Sequence, residues 1–343
     1  FESRNLFAVG ADGGFRFDQN GEDNHRWRSG GNVNYLFNDA LTFFAGLEFE
    51  RRKIEDYFIY SSATNENVRK LIASNNTNER SAYAQADYQL GAWRFLLGGR
   101  YTDNDQSGEK LTPRASVVYR LNEAQSIKLL YSIGFNSPNF TQLFIDIPNV
   151  LQGNPDLNAE LVKTVDLAYS YEANNQLFVL NAYYLEAKDF IQRIVQQDSS
   201  IKFLNSEDFD RAGLEVDFQH VSYKYSFFAN AAYNHQGNKA DNNDLKAHFV
   251  PRYTASLGGL YHFNLNHSAG GSLRASSERN QASEIYQVNL DYQYKRKQFE
   301  LYMGVRNLLN DDIVTPDVQD YVDAHLIPSG DGINYLAGGK YYF

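Results

Sequence analysis

The sequence predicts an all-β fold, a transmembrane antiparallel up-and-down β-barrel. Apolar and polar residues alternate with a period of two almost from end to end, which indicates strands with two different faces. In residues 211–219, for example, Ala212, Leu214, Val216 and Phe218 alternate with charged residues, a glycine and a glutamine. Strands of membrane-spanning length, and connections that alternate between short and long, are the other observations behind this prediction.

The composition agrees with a membrane barrel and excludes several functional classes. The 343 residues include 24 Phe and 25 Tyr, yet the mean hydropathy is −0.53. The absence of Cys excludes disulfide frameworks, thiolate metal sites and cysteine nucleophiles. A formal net charge of −10 argues against a nucleic acid as partner. No apolar run reaches the ~18 residues that a transmembrane helix needs.

The sequence contains no linker that would divide it into domains. No Pro-rich, Ser/Gly-rich or single-charge linker divides the chain, so we predict one barrel domain over residues 1–343. Residues 1–5 lack the basic and apolar regions of a signal peptide. We therefore expect the chain to begin after processing, or inside a larger gene product.

The alternating segments predict about sixteen strands. They lie near residues 6–17, 29–37, 41–54, 79–90, 92–101, 113–121, 125–135, 163–172, 175–187, 209–219, 224–234, 250–262, 267–275, 284–294, 298–306 and 334–343. Most are close to the roughly 9–11 residues that a tilted membrane-spanning strand needs, whereas strands of globular proteins are more often about 5–6 residues long.

The connections between these strands alternate in length. The short ones lie at 37–40, 89–92, 121–125, 172–176 and 294–298. The longer ones lie at 18–28, 55–78, 102–112, 136–162, 188–208, 235–249, 276–283 and 307–333. Short turns at one end of the strands and long loops at the other are typical of an outer-membrane barrel, with the long loops on the extracellular side. Charged residues on the polar faces, such as Arg94 and Arg100, must then line the interior.

Three segments, followed by a terminal strand that ends in Phe343, carry motifs of one family. They are 131–144 (YSIGFNSPNFTQLF), 153–160 (GNPDLNAE) and 304–311 (GVRNLLND). The motif residues are Gly134, Phe135, Pro138, Gly153, Asn154, Pro155, Glu160, Asn307 and Leu308. Together these segments resemble the TonB-dependent outer-membrane receptors. In the first segment Asn136, Ser137, Gln142 and Phe144 replace the family's usual Arg, Ala, Glu and Tyr.

The resemblance implies a larger assembly. Barrels of the family have 22 strands and follow an N-terminal plug domain, so this chain would be the C-terminal part of the barrel and would lack the plug. The plug, or the N-terminal part of the same receptor, is then a partner, and the TonB–ExbB–ExbD complex acts through it. The implied location is the outer membrane of a Gram-negative bacterium, crossed many times. There the barrel would contact membrane lipid and lipopolysaccharide.

Candidate ligand-binding residues lie in the predicted extracellular loops, where variable binding chemistry is usually found. They are His25, Arg26, Trp27, Arg28, Tyr57, Tyr60, Phe140 and Phe144. The basic residues could meet an anionic ligand, because guanidinium groups make bidentate contacts with carboxylate-like groups, and Trp27 could stack on a ring. The alternative is a basic rim that pairs with lipopolysaccharide phosphates, or with Glu22 and Asp23. We expect the motif residues to be structural, and we expect neither a metal site nor a cofactor.

These observations favour a receptor for active, TonB-energised uptake of a scarce small-molecule nutrient, with an iron–siderophore complex as the expected cargo. Two alternatives stay open at this point. A complete 16-stranded passive porin also has an even number of strands. A structural barrel subunit of a larger assembly is the third interpretation. No nucleophile elbow, phosphate loop or dinucleotide fingerprint is present, so we do not expect an enzyme.

Overall fold

The structure is a computed structural model that describes residues 2–5, 19–61, 66–237, 250–279, 282–316, 326–328, 330 and 332–343. Within these ranges the chain forms twenty-two strands and one short helix. No helix in this described part is long and apolar enough to cross a lipid bilayer. The strands are β1 (Glu2–Asn5), β2 (Gln19–Asn38), β3 (Leu41–Ile54), β4 (Tyr57–Ser61), β5 (Glu66–Ile72), β6 (Asn75–Leu90), β7 (Trp93–Asn104), β8 (Gly108–Arg120), β9 (Gln125–Asn136), β10 (Asp146–Ile147), β11 (Leu151–Gln152), β12 (Glu160–Ala173), β13 (Gln176–Val195), β14 (Ile201–Val221), β15 (Tyr225–Gln236), β16 (Tyr253–His262), β17 (His267–Ser276), β18 (Ile285–Arg296), β19 (Phe299–Arg306), β20 (Val314–Pro316), β21 (Leu326–Pro328) and β22 (Asn334–Tyr341), and the helix α1 is Phe140–Phe144.

Fifteen of the sixteen predicted strands are present, and the predicted strand at 6–17 lies outside the described residues. The prediction of a loop over 18–28 is wrong, because β2 already begins at Gln19 and pairs with β3 from Asn24 onward. Seven strands of two to seven residues and the helix were not predicted. All of them except β1 lie within predicted loops. Such short elements leave no periodic pattern in a sequence.

Contacts between Cα atoms divide the chain into two compact units. The first comprises residues 1–116, 131–163 and 187–208. In it β2, β3, β6 and β7 form an antiparallel ladder in that order. β1 and β4 pair with the first residues of β2, and β5 pairs with β4. The pairing of β11 with the first residues of β14 is parallel.

The second unit comprises residues 117–130, 164–186 and 209–343. In it β14, β15, β16, β17, β18, β19 and β22 form an antiparallel ladder in that order. β20 and β21 pair with each other inside the connection between β19 and β22. Within both ladders each long strand therefore pairs with the next long strand in the chain, which confirms the predicted up-and-down antiparallel fold.

Each long strand has two different ends. One end meets a short turn, which we call the turn end, and the other, the loop end, meets a longer connection. Three short turns contain four residues with positive φ, namely Gly91 at 57°, Asn174 at 51°, Asn175 at 61° and Lys297 at 34°. Glycine and asparagine tolerate this backbone conformation better than other residues, so they close these turns at little cost.

The two faces of the ladders carry opposite kinds of side chain. On the apolar face Leu97 is 67% exposed and Met303 is 56% exposed. On the polar face Glu300 is only 7% exposed, and its carboxylate accepts hydrogen bonds from Gln293 Nε2 at 2.9 Å and Tyr342 Oη at 3.1 Å. A water-soluble protein has the reverse arrangement, with leucine buried and glutamate exposed. The apolar face is therefore suited to hydrocarbon and the polar face to an interior.

A recurring contact on the polar face pairs a glycine with an aromatic ring on the neighbouring strand. Tyr83 lies directly opposite Gly46 in the β3–β6 ladder, and its ring covers the glycine. An ideal Cβ on Gly46 would lie 2.4 Å from Tyr83 Oη, so this position accepts glycine alone while the ring stays in place. The same contact joins Gly213 to Tyr183, Gly258 to Phe228 and Gly338 to Tyr302.

We expect Gly46→Val to destabilise the fold by about 1–3 kcal/mol, because the added side chain must displace the Tyr83 ring. Gly31→Val is the matched control, since a Cβ at Gly31 meets nothing within 4 Å. The temperature at which the full-length receptor loses its folded, heat-modifiable band on a denaturing gel measures the effect. Equal midpoints for the two variants would show that the ring contact is unimportant.

Candidate binding site at the loop ends

Seven charged side chains gather on the polar face near the loop ends of β2, β3, β6 and β7. This arginine–glutamate cluster consists of Arg26, Arg28, Arg52, Arg100, Glu48, Glu50 and Glu79. The strand register explains the cluster, because Arg26 lies opposite Arg52 and Arg28 lies opposite Glu50, and directly opposed residues share a face.

Hydrogen-bonded ion pairs hold the cluster together. Arg26 Nη2 donates to Glu50 Oε2 at 2.6 Å, and Arg100 Nη2 donates to Glu48 Oε2 at 2.7 Å. Arg28 contacts the other oxygen of Glu48, so this one carboxylate holds guanidinium groups from two different strands, β2 and β7. Such charge-assisted bonds are stronger than neutral ones and hold the side chains in fixed positions.

The cluster lines a cavity of about 270 Å³ that also touches Ser81 and residues 135–137. The carboxylates lie beneath the arginines, since the side chain of Glu50 is 13% exposed while that of its partner Arg26 is 62% exposed. With four arginines and three glutamates in the cluster, the cavity lining carries a formal charge of +1, and the arginines are its more exposed charged groups. The structure therefore brings predicted ligand residues Arg26 and Arg28 beside Phe135 of the first motif.

The other residues of the predicted basic group lie elsewhere. Trp27 is on the apolar face, 58% exposed, and its ring packs edge-on against Phe49 with centroids 5.5 Å apart. His25 lies two residues before Trp27 in the same strand, with its Nε2 atom 3.9 Å from Glu55 Oε1. Neither side chain lines the cavity beside Arg26 and Arg28. The period of two in β2 separates residues that a loop could have brought together.

Three of the predicted aromatic ligand residues lie against a hydrophobic cluster. We call this cluster the loop core; its buried members are Ile54, Leu71, Ile72, Leu143, Ile145, Leu157, Ile191 and Phe203. Tyr57, Phe140 and Phe144 are half-buried against it. Tyr60 lies in β4, where its backbone pairs with Gln19. The loop core joins segments that are distant in the sequence, and it packs like the interior of a small soluble domain.

The first and second motifs meet around α1. The side chain of Asn139 caps the helix by accepting from the Gln142 N–H at 2.9 Å, and Gln142 Oε1 accepts from the Asn139 N–H at 2.9 Å. Gly153 N–H donates to the Ile145 carbonyl at 2.6 Å. An ideal Cβ on Gly153 would lie 2.6 Å from the Leu143 backbone, so the close approach of these two segments requires glycine.

The rest of the second motif closes the loop. Asn154 Oδ1 accepts from the Asp156 N–H at 3.1 Å and shapes the turn around the exposed Pro155. Glu160, the first residue of β12, then connects this strand to the end of β9 and to β13. It accepts from Asn136 Nδ2 at 2.9 Å and from the Ile191 N–H at 2.8 Å.

The third motif forms a turn in the second unit. Asn307 is 1% exposed and has a positive φ of 51°. Its side chain donates to the Asp311 carbonyl at 2.8 Å and accepts from the Asp311 N–H at 3.0 Å. Leu308 follows it on the surface, with its N–H bonded to the Val288 carbonyl at 2.8 Å. The chain ends at the exposed Phe343, whose ring packs edge-on against Tyr341 with centroids 5.1 Å apart.

Asp56, the residue before β4, forms an ion pair with β5 and a hydrogen bond with the residue two positions after β5. Lys70 Nζ lies 2.9 Å from Asp56 Oδ2, and the Ser74 N–H donates to Asp56 Oδ1 at 2.9 Å. These contacts stabilise the charged carboxylate, and the hydrogen bond from Lys70 is the main reason that the pKa of Asp56 lies below its usual value.

The glutamates that pair with Arg26 and Arg28 were not among the predicted site residues. Glu48, Glu50 and Arg52 follow one another at a period of two on β3, which places all three on one face. That spacing is a signal that the sequence does contain. The strand register that brings them to Arg26 and Arg28 is a long-range feature that it does not contain.

A comparison with protein families decides what kind of barrel this is. The family model described as "TonB dependent receptor-like, beta-barrel" matches residues 2–308. The chain belongs to this family. TonB-dependent receptors are β-barrel proteins of the outer membrane of Gram-negative bacteria, and the family and its structural neighbours are transport receptors. The family also implies a plug domain and an interaction with TonB.

Solved structures share the fold of this receptor barrel. The siderophore receptor PirA of Acinetobacter baumannii superimposes with a TM-score of 0.74 at 15% identity, over 100% of this chain and 59% of that one. A mutant of the ferric enterobactin receptor PfeA of Pseudomonas aeruginosa gives 0.70 at 17% identity, over 95% of this chain and 54% of that one. This chain thus spans little more than half the length of those structures.

A relative by sequence is the "Hemoglobin and hemoglobin-haptoglobin-binding protein B" of Haemophilus influenzae. It is 25% identical over a region that covers 29% of this chain and 12% of that protein. The relative and the solved structures therefore include large parts that this chain does not cover.

We expect Glu160→Ala to loosen the loops of the receptor barrel, because the Ile191 N–H and the Asn136 amide lose their acceptor. Losing these two hydrogen bonds costs about 1–3 kcal/mol in total, which should raise local opening and cleavage roughly tenfold. Trypsin treatment of whole cells, with cleavage mapped after Arg193 and Lys202, measures this rate. Glu123→Ala, in an exposed turn, is the control and should leave the rate unchanged.

Proposed function

We propose that this chain is the barrel part of a receptor that takes up a scarce nutrient with energy supplied through TonB. The observation that carries the proposal is the family match over residues 2–308. The plug, supplied by the N-terminal part of the receptor, transmits the action of the TonB–ExbB–ExbD complex. The loop ends of the strands face the outside of the cell, where the nutrient is captured. Membrane lipid covers the apolar face, and lipopolysaccharide surrounds the loop ends.

We further propose an iron–siderophore complex as the cargo. The arginine–glutamate cluster supports an anionic ligand, because its arginines are exposed above its carboxylates in the cavity. Guanidinium groups bind the oxygens of such a ligand through paired, charge-assisted hydrogen bonds. The names of two solved structures with this fold also refer to siderophores or enterobactin, which is in keeping with this cargo.

The loop core supports capture by preformed loops. Half-buried Tyr57, Phe140 and Phe144 anchor the loops, so their entropy is already reduced before a ligand arrives. In this proposal the three residues position the binding loops, and Arg26 and Arg28 contact the ligand.

Uptake of radioactive iron distinguishes the proposed receptor from a passive channel. The full-length receptor is produced in a Gram-negative host that lacks its own siderophore receptors, with and without a functional tonB gene. We expect uptake of ferric siderophores to need both the receptor and TonB. Uptake that continues without TonB would favour a porin, and the absence of uptake for every siderophore tested would favour another cargo or a structural role.

Replacing Arg26 and Arg28 with Gln should lower uptake by about tenfold or more, because two charge-assisted contacts are each worth roughly 1.5–3 kcal/mol. Arg94→Gln is the matched control, since Arg94 pairs with Asp87 at 2.6 Å near the turn end, away from the cavity. Equal uptake by both variants, at equal surface abundance, would show that the arginine–glutamate cluster does not bind the ligand.

A further inference from the structure

A second cavity lies at the loop ends of β17, β18, β19 and β22, within the second unit. Its volume is about 510 Å³. Arg274 reaches it from β17, Arg279 from the connection after β17, and Arg306 from the end of β19. The register pairs Arg274 with Gln287 and Arg306 with Asn334, so these four residues lie on the polar face. We call this cavity the three-arginine pocket.

The described residues that line the pocket include the three arginines and no carboxylate. This concentration of positive charge contrasts with the formal net charge of −10 of the whole chain. The pocket also differs from the cavity at the arginine–glutamate cluster, which is lined by three glutamates as well as by arginines. A pocket walled by guanidinium groups attracts anions, because the low dielectric of its surroundings strengthens their field.

The hydrogen-bonding capacity of these arginines is only partly used. Arg306 Nη2 contacts Asp291 Oδ1 at 2.7 Å, whereas its Nη1 atom is buried without a hydrogen-bond partner among the described residues. Within the same part of the chain, Arg279 Nε is also buried without a partner. Buried polar groups are nearly always hydrogen-bonded in native proteins, so two such donors at one pocket indicate an acceptor that arrives from outside the described residues.

The backbone holds Arg279 in place. Arg279 and Ala282 exchange two backbone hydrogen bonds, of 3.0 Å and 2.8 Å. Ala282 is 1% exposed, so the residue that pairs with Arg279 is buried. The backbone of Arg279 is therefore fixed, and its side chain lines the pocket with a buried Nε atom.

We propose that the three-arginine pocket binds the oxyanion group of a small molecule, a carboxylate or a phosphate. Planar guanidinium groups match both groups through bidentate hydrogen bonds. Gln287 and Asn334 add neutral donors, and Ile285 and Leu336 add an apolar wall for the rest of the molecule. The volume lies within the range of about 300–1,000 Å³ that small-molecule sites occupy. Its lining shares no residue with the cavity at Arg26 and Arg28, and the proposal does not depend on the identity of the transported cargo.

Calorimetric titration of the full-length receptor, purified in detergent, tests the proposal with citrate and inorganic phosphate as probes. We expect binding of at least one probe and an affinity at least tenfold lower in Arg274→Gln and in Arg279→Gln. Arg279→Lys keeps the charge but loses the planar fork, so it should give an intermediate affinity. Arg94→Gln should bind like the unmodified protein. A heat-modifiable folded band confirms that each variant is folded.

The pattern of binding identifies the anion. Binding of citrate alone assigns a carboxylate ligand, and binding of phosphate, alone or in competition with citrate, assigns a phosphate-type ligand. Binding of neither probe, or equal binding by all variants, overturns the proposal. The measurement needs neither TonB nor a siderophore, so a failure here is distinguishable from a failure of the proposed uptake function.

Discussion

The constraint on which the rest of the structure depends is that hydrocarbon provides no hydrogen-bond partner. Every backbone N–H and carbonyl of a membrane-crossing strand must therefore pair with a neighbouring strand. The alternation of side chains along each strand then sends apolar residues to one face and charged residues to the other. Exposed Leu97 and buried Glu300 are two results of the same rule. Charge is tolerated on the polar face because carboxylates and guanidinium groups lie close enough to neutralise one another.

The polar face is consequently organised by long-range pairs. Its glycines accept aromatic rings from the next strand, as Tyr83 on Gly46 shows. Near the loop ends of β2, β3, β6 and β7, ion pairs join the strands, and the arginine–glutamate cluster leaves its cations more exposed than its anions. The same residues therefore contribute to the strand ladder and line the cavity that we propose as a binding site.

Local patterns in the sequence predicted the long strands well, because a period of two extends over many residues. The predicted loop at 18–28 was wrong because a run of polar residues there hides the alternation. For this reason Trp27 was grouped with Arg26 and Arg28, although it lies on the other face. Arg26 and Arg28 could be chosen from composition alone. The glutamates that hold them, and the loop core that takes up Phe140 and Phe144, depend on strand register and loop packing, which a single sequence does not contain.

The loop core and the membrane-crossing strands respond to different changes in their surroundings. Strands in a bilayer respond to lipid thickness and lateral pressure, and water-structuring solutes scarcely reach their apolar face. The cluster around Ile54, Leu143 and Phe203 lies at the loop ends and is held by ordinary hydrophobic burial. Urea and cooling weaken such burial. The loop core is thus able to melt and reform while the strand ladder of the same unit stays paired.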